Sequence, residues 1–150
     1  MDISKRRCGN CAERRLALKN VRGEFKSPWR DFPVAFVTVD LSLWTCANCG
    51  NSVMIGGDAE KIDAAYELSV RDQAAQFIDV IRSKTGIGSG QLAELIGVSP
   101  QHLSSVHSGK QRPSFSLWNF LKMIATDPVV MVKKANPNLD IIRENILLRA

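Results

Sequence analysis

The sequence has few of the residues and runs that most enzymes and membrane proteins need. Two histidines and four cysteines occur among its 150 residues. No apolar stretch approaches the ~18 residues that a membrane-spanning helix requires. There is no Ser/His/Asp or Cys/His arrangement and no glycine loop suited to phosphate, since GIGSG at 86–90 is better explained as a turn before a helix. We therefore expect neither an enzyme, nor a small-molecule substrate, nor a membrane location.

The four cysteines form two Cys-x-x-Cys pairs, Cys8 with Cys11 and Cys46 with Cys49. Each pair places two thiolates on one tight turn, so that both sulfurs can reach a single ion. Four sulfurs complete the tetrahedral shell that Zn²⁺ takes in structural sites, and they leave no open position for a reacting water. The spacing predicts one structural Zn²⁺ held by these four residues.

Two disulfides or a thiol–disulfide switch are the alternatives for the same cysteines. The chain opens MDISKRRC without an apolar signal region, which favours a reducing, cytoplasmic location where disulfides are rare. A redox-active dithiol usually opens a helix in a βαβ unit, and that pattern does not occur here. Zinc is therefore the preferred interpretation.

The segment between the two cysteine pairs predicts β structure. Residues 34–44 alternate in polarity, and an earlier strand is expected near 16–21. Between these strands, Gly23, Pro28 and Pro33 predict turns. One face of the later strand would consist of Ala35, Val37, Val39, Leu41 and Leu43. So small an antiparallel sheet cannot bury enough apolar area alone, and metal binding would supply part of its folding energy.

The net charge of +5 is unevenly distributed along the chain. Residues 1–50 contain nine Lys/Arg against five Asp/Glu (+4), residues 51–85 four against six (−2), and residues 86–150 seven against four (+3). Two basic ends on either side of an acidic middle suit an anionic partner.

Helical signals dominate the rest of the chain. Asp58 suits the start of a connecting helix, and residues 73–85 place apolar side chains at helical spacing. A short helix is then expected to end at Gly97, and Ser99 with Pro100 would begin the next one. A basic loop and two further helices follow. A short helix, a tight turn, a capped helix and a basic loop in this order are typical of a helix-turn-helix domain.

Residues 90–114, GQLAELIGVSPQHLSSVHSGKQRPS, resemble the Cro/cI-type (XRE) helix-turn-helix family. The matching positions are Leu92, Ala93, Gly97, Val98, Ser99, Leu103, Val106, Gly109, Lys110 and the run 112–114. With a double Cys-x-x-Cys segment in front, the chain resembles more narrowly the MqsA-like antitoxins of bacterial type II toxin–antitoxin modules. In these proteins a zinc-bound β domain precedes a DNA-binding domain of the XRE type. The basic KRRC start and the C-terminal NPNLDIIRENILLRA depart from that family's pattern.

This resemblance implies roles for single residues in binding double-stranded DNA. The helix after Ser99 would enter the major groove, with Gln101 as the strongest candidate for a bidentate contact to adenine. The basic loop and the start of the preceding helix would contact phosphates. His107 is expected to cap the end of the recognition helix. The complete predicted set is Ser89, Gln91, Ser99, Pro100, Gln101, His102, Ser105, Lys110 and Arg112.

Together, these features predict an α+β chain of two modules. A small zinc-bound antiparallel β domain would be followed by an all-α, five-helix domain of the XRE helix-turn-helix type. The expected boundaries are 1–56 for the zinc-binding domain, 57–72 for a helical connector, 73–136 for the DNA-binding domain and 137–150 for an amphipathic tail.

The resemblance also implies a function. Such a chain would be a sequence-specific repressor that binds a palindromic operator as a homodimer. As an antitoxin it would neutralise a protein toxin and regulate its own operon. The tail at 137–150 would either pack on its own domain or form the dimer seam; the seam is preferred, because the apolar stripe of the tail would otherwise be exposed. The alternative is a stand-alone XRE-family regulator whose zinc domain senses redox state or metal, without a toxin partner.

Overall fold

Residues 6–139 are described by the computed structural model, which has the α+β architecture expected from the sequence. Within these residues, a three-stranded antiparallel sheet comes first and five helices follow it. The elements are β1 (Leu16–Trp29), β2 (Phe32–Cys46), β3 (Ser52–Val53), α1 (Asp58–Thr85), α2 (Ser89–Ile96), α3 (Pro100–His107), α4 (Phe115–Thr126) and α5 (Pro128–Ala135). The chain divides into two compact units, Met1–Tyr66 and Glu67–Ala150, and the division falls inside α1.

β1 and β2 form a long antiparallel hairpin, and β3 pairs only with Trp44 and Thr45 of β2. Along β2 the side chains alternate as the sequence predicts. Ala35, Val37 and Leu41 are buried, whereas the residues at 34, 36, 38 and 40 are exposed. Most side chains of β1 are exposed as well. The hairpin therefore buries few of its own side chains.

The turn predicted between the two strands is wrong in extent. Gly23 and Pro33 lie inside β1 and β2, so the strands run through both of them. The register of the ladder shifts around Pro28, which fits a residue that has no N–H to donate. The chain reverses only at 30–31, where Arg30 has a left-handed φ of 50°. Cross-strand pairing thus overrides the local turn signals.

The closed end of the hairpin is attached to the first part of α1. Trp29 Nε1 donates to Asp63 Oδ1 at 2.7 Å, and the Trp29 ring stacks on Tyr66 with centroids 5.8 Å apart. Arg30 donates to the second oxygen of Asp63 at 3.2 Å. The Trp29 hydrogen bond and then the Arg30 charge hold the pKa of Asp63 below its usual value. None of these contacts involves a cysteine.

The second unit has an apolar core of its own. Its buried members come from the later part of α1, the α1–α2 loop and α2 to α5: Ala74, Ile78, Ile81, Ile87, Leu92, Ala93, Leu103, Val106, Leu117, Leu121, Ile124 and Val132. Serine side chains cap the starts of α3 and α4. Ser99 Oγ accepts from the His102 N–H at 3.1 Å, and Ser114 Oγ accepts from the Leu117 N–H at 3.2 Å. Pro100 occupies the first turn of α3, as predicted.

α1 is one uninterrupted helix of 28 residues that begins at Asp58. The carboxylate of Asp58 is buried and accepts from the Ile55 N–H at 3.0 Å, which fixes the entry into the helix. The predicted amphipathic tail lies outside the described residues from position 140 onward. Among residues 6–139, no helix is both long and apolar enough to cross a membrane.

Candidate functional site

The four cysteines converge at the open end of the hairpin. Cys8 and Cys11 precede β1, Cys46 ends β2, and Cys49 lies in the turn before β3. All four Sγ atoms lie within 4.8 Å of one another. The Sγ atoms of Cys8 and Cys49 are 3.6 Å apart, as are those of Cys11 and Cys46. A tetrahedral ion with metal–sulfur bonds of ~2.3 Å separates its sulfurs by ~3.8 Å. The thiols are free, and their spacing fits a single metal ion.

Both Cys-x-x-Cys turns have the same backbone pattern. The N–H after the second cysteine donates to the carbonyl of the first, from Ala12 to Cys8 and from Gly50 to Cys46, at 2.9 Å in each turn. The donor residue has a left-handed φ in both turns, 60° at Ala12 and 73° at Gly50. Two matching turns therefore present two sulfurs each, which the sequence spacing predicted.

Hydrogen bonds to sulfur favour the thiolate form of two of these residues. The side-chain amide of Asn10, followed by the backbone N–H of Asn51, lowers the pKa of the Cys49 thiol to about 6. Backbone N–H groups of Cys11 and Asn10 lower the pKa of the Cys8 thiol. Cys11 differs: the Glu13 backbone and the Asn48 side chain lower the pKa of its thiol, but burial and the hydrogen bonds with Cys49 and Cys46 outweigh them and raise it to about 11. Because the thiolate is the form that binds metals, Cys8 and Cys49 are shifted toward the ligating form, whereas Cys11 would have to lose its proton to a metal ion.

Apolar side chains cover one part of the cysteine cluster. Cys8, Cys46 and Leu16 are buried together, and Cys11 and Trp44 pack against them. Cys49 is exposed. The cluster therefore has a packed side and one sulfur that is open to solvent.

A second group of functional candidates lies on α2, α3 and the loop that follows α3. α2 ends at Gly97, which has a left-handed φ of 75°. Leu92 and Ala93 of α2 share one buried cluster with Leu103 and Val106 of α3. This packing leaves the polar first turn of α3 at the surface.

Some of the predicted DNA-contact residues are exposed. Ser99, Pro100 and Gln101 are exposed at the start of α3, and Lys110 is exposed in the loop after it. Gln91 is exposed too, but its Oε1 accepts from the Gly88 N–H at 2.9 Å and so caps the start of α2.

Three others, Ser89, His102 and Ser105, are half-buried. His102 Nδ1 lies 3.1 Å from Gln111 Oε1, and the Ser105 carbonyl accepts from the Gln111 N–H at 3.1 Å. Gln111 therefore joins the first turns of α3 to the loop. Sequence reasoning did not select Gln111, because a glutamine in a polar loop has no distinguishing pattern.

Arg112, the remaining predicted contact, is half-buried and lies beside a carboxylate. Its Nε is 3.9 Å from Glu67 Oε2. Arg71 contacts the other oxygen of Glu67 through Nε and Nη2, at 2.9 and 2.7 Å. Arg71 Nη1 donates to the carbonyl of Gly109 at 2.7 Å. Glu67 thus lies between two guanidinium groups, at the point where α1 meets the loop after α3.

The expected capping role of His107 is wrong. Ser108 is the C-cap residue of α3, and His107 Nε2 lies 2.7 Å from Asp79 Oδ1 on α1. Sequence reasoning missed Asp79, Glu67 and Arg71, because contacts of α1 with α3 and with the loop after it leave no spacing signal along the chain.

Comparison with known proteins adds no assignment to these sites. No protein-family model matches the chain, and no curated protein matches it. The candidate sites are therefore the cysteine cluster and the surface formed by α2, α3 and the loop after α3.

Proposed function

We propose that this chain is a sequence-specific DNA-binding repressor that uses α2, the turn at Gly97 and α3 as an XRE-type helix-turn-helix. One observation carries the proposal: the first turn of α3 is both fixed and accessible. Ser99 caps it through the His102 N–H, and Pro100 and Gln101 are exposed beside the cap. In helix-turn-helix proteins these first residues of the second helix contact base edges in the major groove.

The chemistry of the exposed residues supports this proposal. The side-chain amide of Gln101 can donate a hydrogen bond to adenine N7 and accept one from the adenine N6 amino group. This bidentate contact would distinguish adenine from the other bases. Lys110 is exposed and has no side-chain partner within residues 6–139. It would contact a phosphate, which adds affinity without sequence preference. Two recognition helices are needed to span a palindromic operator, so the proposed binding form is a homodimer.

The cysteine cluster has a structural role in this proposal. A single Zn²⁺ bound by all four sulfurs would have no vacant position for chemistry, so it would stabilise the first unit. A metal-binding β unit followed by a helical DNA-binding unit is the order found in MqsA-like antitoxins. On that basis, the first unit would bind and neutralise a toxin while the second represses the operon.

DNA binding is tested by fluorescence anisotropy with DNA from upstream of the gene. Gln101→Ala should weaken binding to the preferred site by about 1–3 kcal/mol and leave binding to random DNA almost unchanged. Gln76→Ala is the matched control, because Gln76 is an exposed glutamine on α1 that is not among the predicted DNA contacts. Absence of any specific complex at low micromolar wild-type protein would reject the repressor function.

The antitoxin function needs a separate test. If the product of an adjacent gene arrests growth when it is expressed alone, co-expression of this chain should restore growth. The Cys46→Ser variant should restore it less well, since the first unit would lose its metal. Unchanged arrest with the wild-type chain would reject neutralisation, whatever the outcome of the DNA-binding experiment.

A second candidate is a stand-alone regulator in which the cysteine cluster senses oxidants or metal. It is favoured by one observation, the exposure of Cys49, since oxidation selects accessible thiolates. Mild peroxide should then release the metal and abolish specific DNA binding, and a reductant with metal should restore both. DNA binding that persists after complete metal release would contradict this candidate.

A further inference from the structure

The backbone of the loop after α3, residues 108–112, accepts hydrogen bonds from a side chain of α1. Arg71 Nη1 donates to the carbonyl of Gly109 at 2.7 Å and lies 3.5 Å from the carbonyl of Lys110. The remaining nitrogens of the guanidinium, Nε and Nη2, bind Glu67 Oε1 at 2.9 and 2.7 Å. Arg71 therefore binds a backbone segment on one side and its own helix on the other.

The bonds of Arg71 complement those that the loop makes with α3. The Gly109 N–H donates to the Val106 carbonyl and the Gln111 N–H donates to the Ser105 carbonyl, each at 3.1 Å. Thus α3 binds loop N–H groups, whereas Arg71 binds loop carbonyls. Gly109 has a left-handed φ of 72°. A segment held through both kinds of backbone group has few conformations left to it.

The charges in this region separate into engaged and available groups. Glu67 binds Arg71 and lies 3.9 Å from Arg112, and the side chains of the three residues are 21–31% exposed. Lys110 is exposed, and within residues 6–139 its ammonium has no partner. Within the described part of the loop, Lys110 is therefore the cation that is available to a ligand. Arg71 contacts the backbone carbonyls of Gly109 and of Lys110 itself.

We infer that Arg71 is a positioning residue for DNA binding: it fixes the loop at 109–110 so that Lys110 meets a phosphate. This inference rests on the proposed DNA-binding function. Arginine suits the role because its planar guanidinium can bind a carboxylate and a carbonyl at the same time in fixed directions. The point charge of a lysine cannot reproduce both sets of bonds.

The experiment measures DNA affinity against salt concentration for Lys110→Ala, Arg71→Met and the double variant. One lost phosphate contact lowers the slope of log K against log salt by about 0.9, which corresponds to about fivefold weaker binding at 0.15 M salt. Both single variants should show this loss. The double variant should bind no more weakly than Lys110→Ala, because Arg71 acts through Lys110. Losses that multiply in the double variant would overturn the inference.

Two further variants separate positioning from charge. Arg71→Lys keeps the charge but loses the forked bonds, so it should lose affinity and slope like Arg71→Met; wild-type binding by Arg71→Lys would contradict positioning. It also serves as the test if Arg71→Met fails to fold by circular dichroism. Lys134→Met removes an exposed cation from α5 and should leave the slope unchanged.

A readout without DNA distinguishes failure of this inference from failure of the proposed function. Trypsin cleaves after Lys110 only when the loop can open, and the bond after Arg112 is protected because Pro113 follows it. Arg71→Lys should increase the cleavage rate after Lys110 several-fold, whereas Lys134→Met should not. If the wild type binds no DNA but cleavage after Lys110 is faster in Arg71→Lys, the proposed function is wrong, whereas the role of Arg71 in holding the loop is confirmed. Unchanged cleavage would remove the structural basis of the inference.

Discussion

The two units of this chain differ in the composition of their buried clusters. In the second unit, twelve buried residues from α1 to α5 and the α1–α2 loop form one apolar cluster. In the first, the cluster at the open end of the hairpin has three buried members, and two of them are cysteines, Cys8 and Cys46. Leu18 and Phe36 of the hairpin are each 53% exposed. The other buried apolar side chains of the first unit lie along the hairpin and at the start of α1: Trp29, Phe32, Ala35, Val37, Leu41 and Tyr66. We therefore expect hydrophobic burial to maintain the second unit, and metal ligation to add to it at the cysteine end of the first.

Metal removal should have the largest effect and should act on the first unit alone. Structural zinc contributes on the order of 10 kcal/mol in small domains at neutral pH. Chelation, or Cys46→Ser, should therefore abolish amide protection in β3 and in the first residues of β1. Amides of α2 and α3 should stay protected, because their core contains no metal ligand. Hydrogen exchange with and without a chelator measures the amide protection of the two units.

Hydrogen exchange can also disprove the expected difference between a metal-dependent first unit and a metal-independent second unit. Cys11→Ser changes the other Cys-x-x-Cys turn and should reproduce the result of Cys46→Ser. Equal loss of protection in both units would show that their stabilities are coupled. No loss in either unit, together with metal-free protein by elemental analysis, would show that the thiols do not need an ion.

A cavity-forming substitution in the core of the second unit tests the opposite case, in which the second unit is destabilised and the first is not. Leu103 is fully buried, so Leu103→Ala should lower the free energy of unfolding by about 2–5 kcal/mol. The first unit should keep its metal, since all four of the proposed ligands belong to that unit. Denaturant unfolding and metal content measure the two effects. Leu68→Ala is the control, because Leu68 is 61% exposed and its truncation should change stability by less than ~0.5 kcal/mol.

The parts of this structure that the sequence predicted are those encoded over short distances. The Cys-x-x-Cys spacing predicted both turns of the cysteine cluster, and alternation predicted which face of β2 is buried. Ser99 and Pro100 marked the start of α3 correctly. Each of these signals lies within a few residues, where backbone geometry fixes which side chains are neighbours.

The rest depends on contacts between distant residues. Gly23 indicated a turn from local chemistry, but pairing with β2 keeps it in a strand. Asp63 holds the hairpin tip through Trp29, 34 residues earlier in the chain. Arg71 holds Gly109, 38 residues later. No periodicity records such partners, because they become neighbours only after the elements have packed.

The matched turns around the cysteines allow a smaller test inside the first unit. Gly50 and Ala12 occupy equivalent left-handed positions, with φ of 73° and 60°. Alanine is strained there, so Gly50→Ala should lower metal-bound stability by about 1 kcal/mol. Ala12→Gly should raise it by roughly 0.5 kcal/mol, since relief of strain exceeds the entropy of the added glycine. Thermal unfolding at saturating zinc measures both, and equal signs would contradict the equivalence of the two turns.

The smallest effect concerns the hairpin tip, which is attached without any cysteine. The pKa of Asp63 is lowered, first by the hydrogen bond from Trp29 and then by Arg30. Between this folded-state pKa and the unfolded value of ~3.9, the unfolded chain binds more protons, so the stabilisation from Asp63 is complete above that value and is lost as pH falls through the folded pKa. Trp29→Phe removes the donor and should move the pKa of Asp63 toward its usual value, as measured by the NMR shift of the carboxyl carbon. Trp44→Phe, at the cysteine end, should leave it unchanged. If Trp44→Phe shifted the pKa of Asp63 equally, the two ends of the hairpin would not be independently held, and the contrast between metal-dependent and metal-independent anchoring would fail.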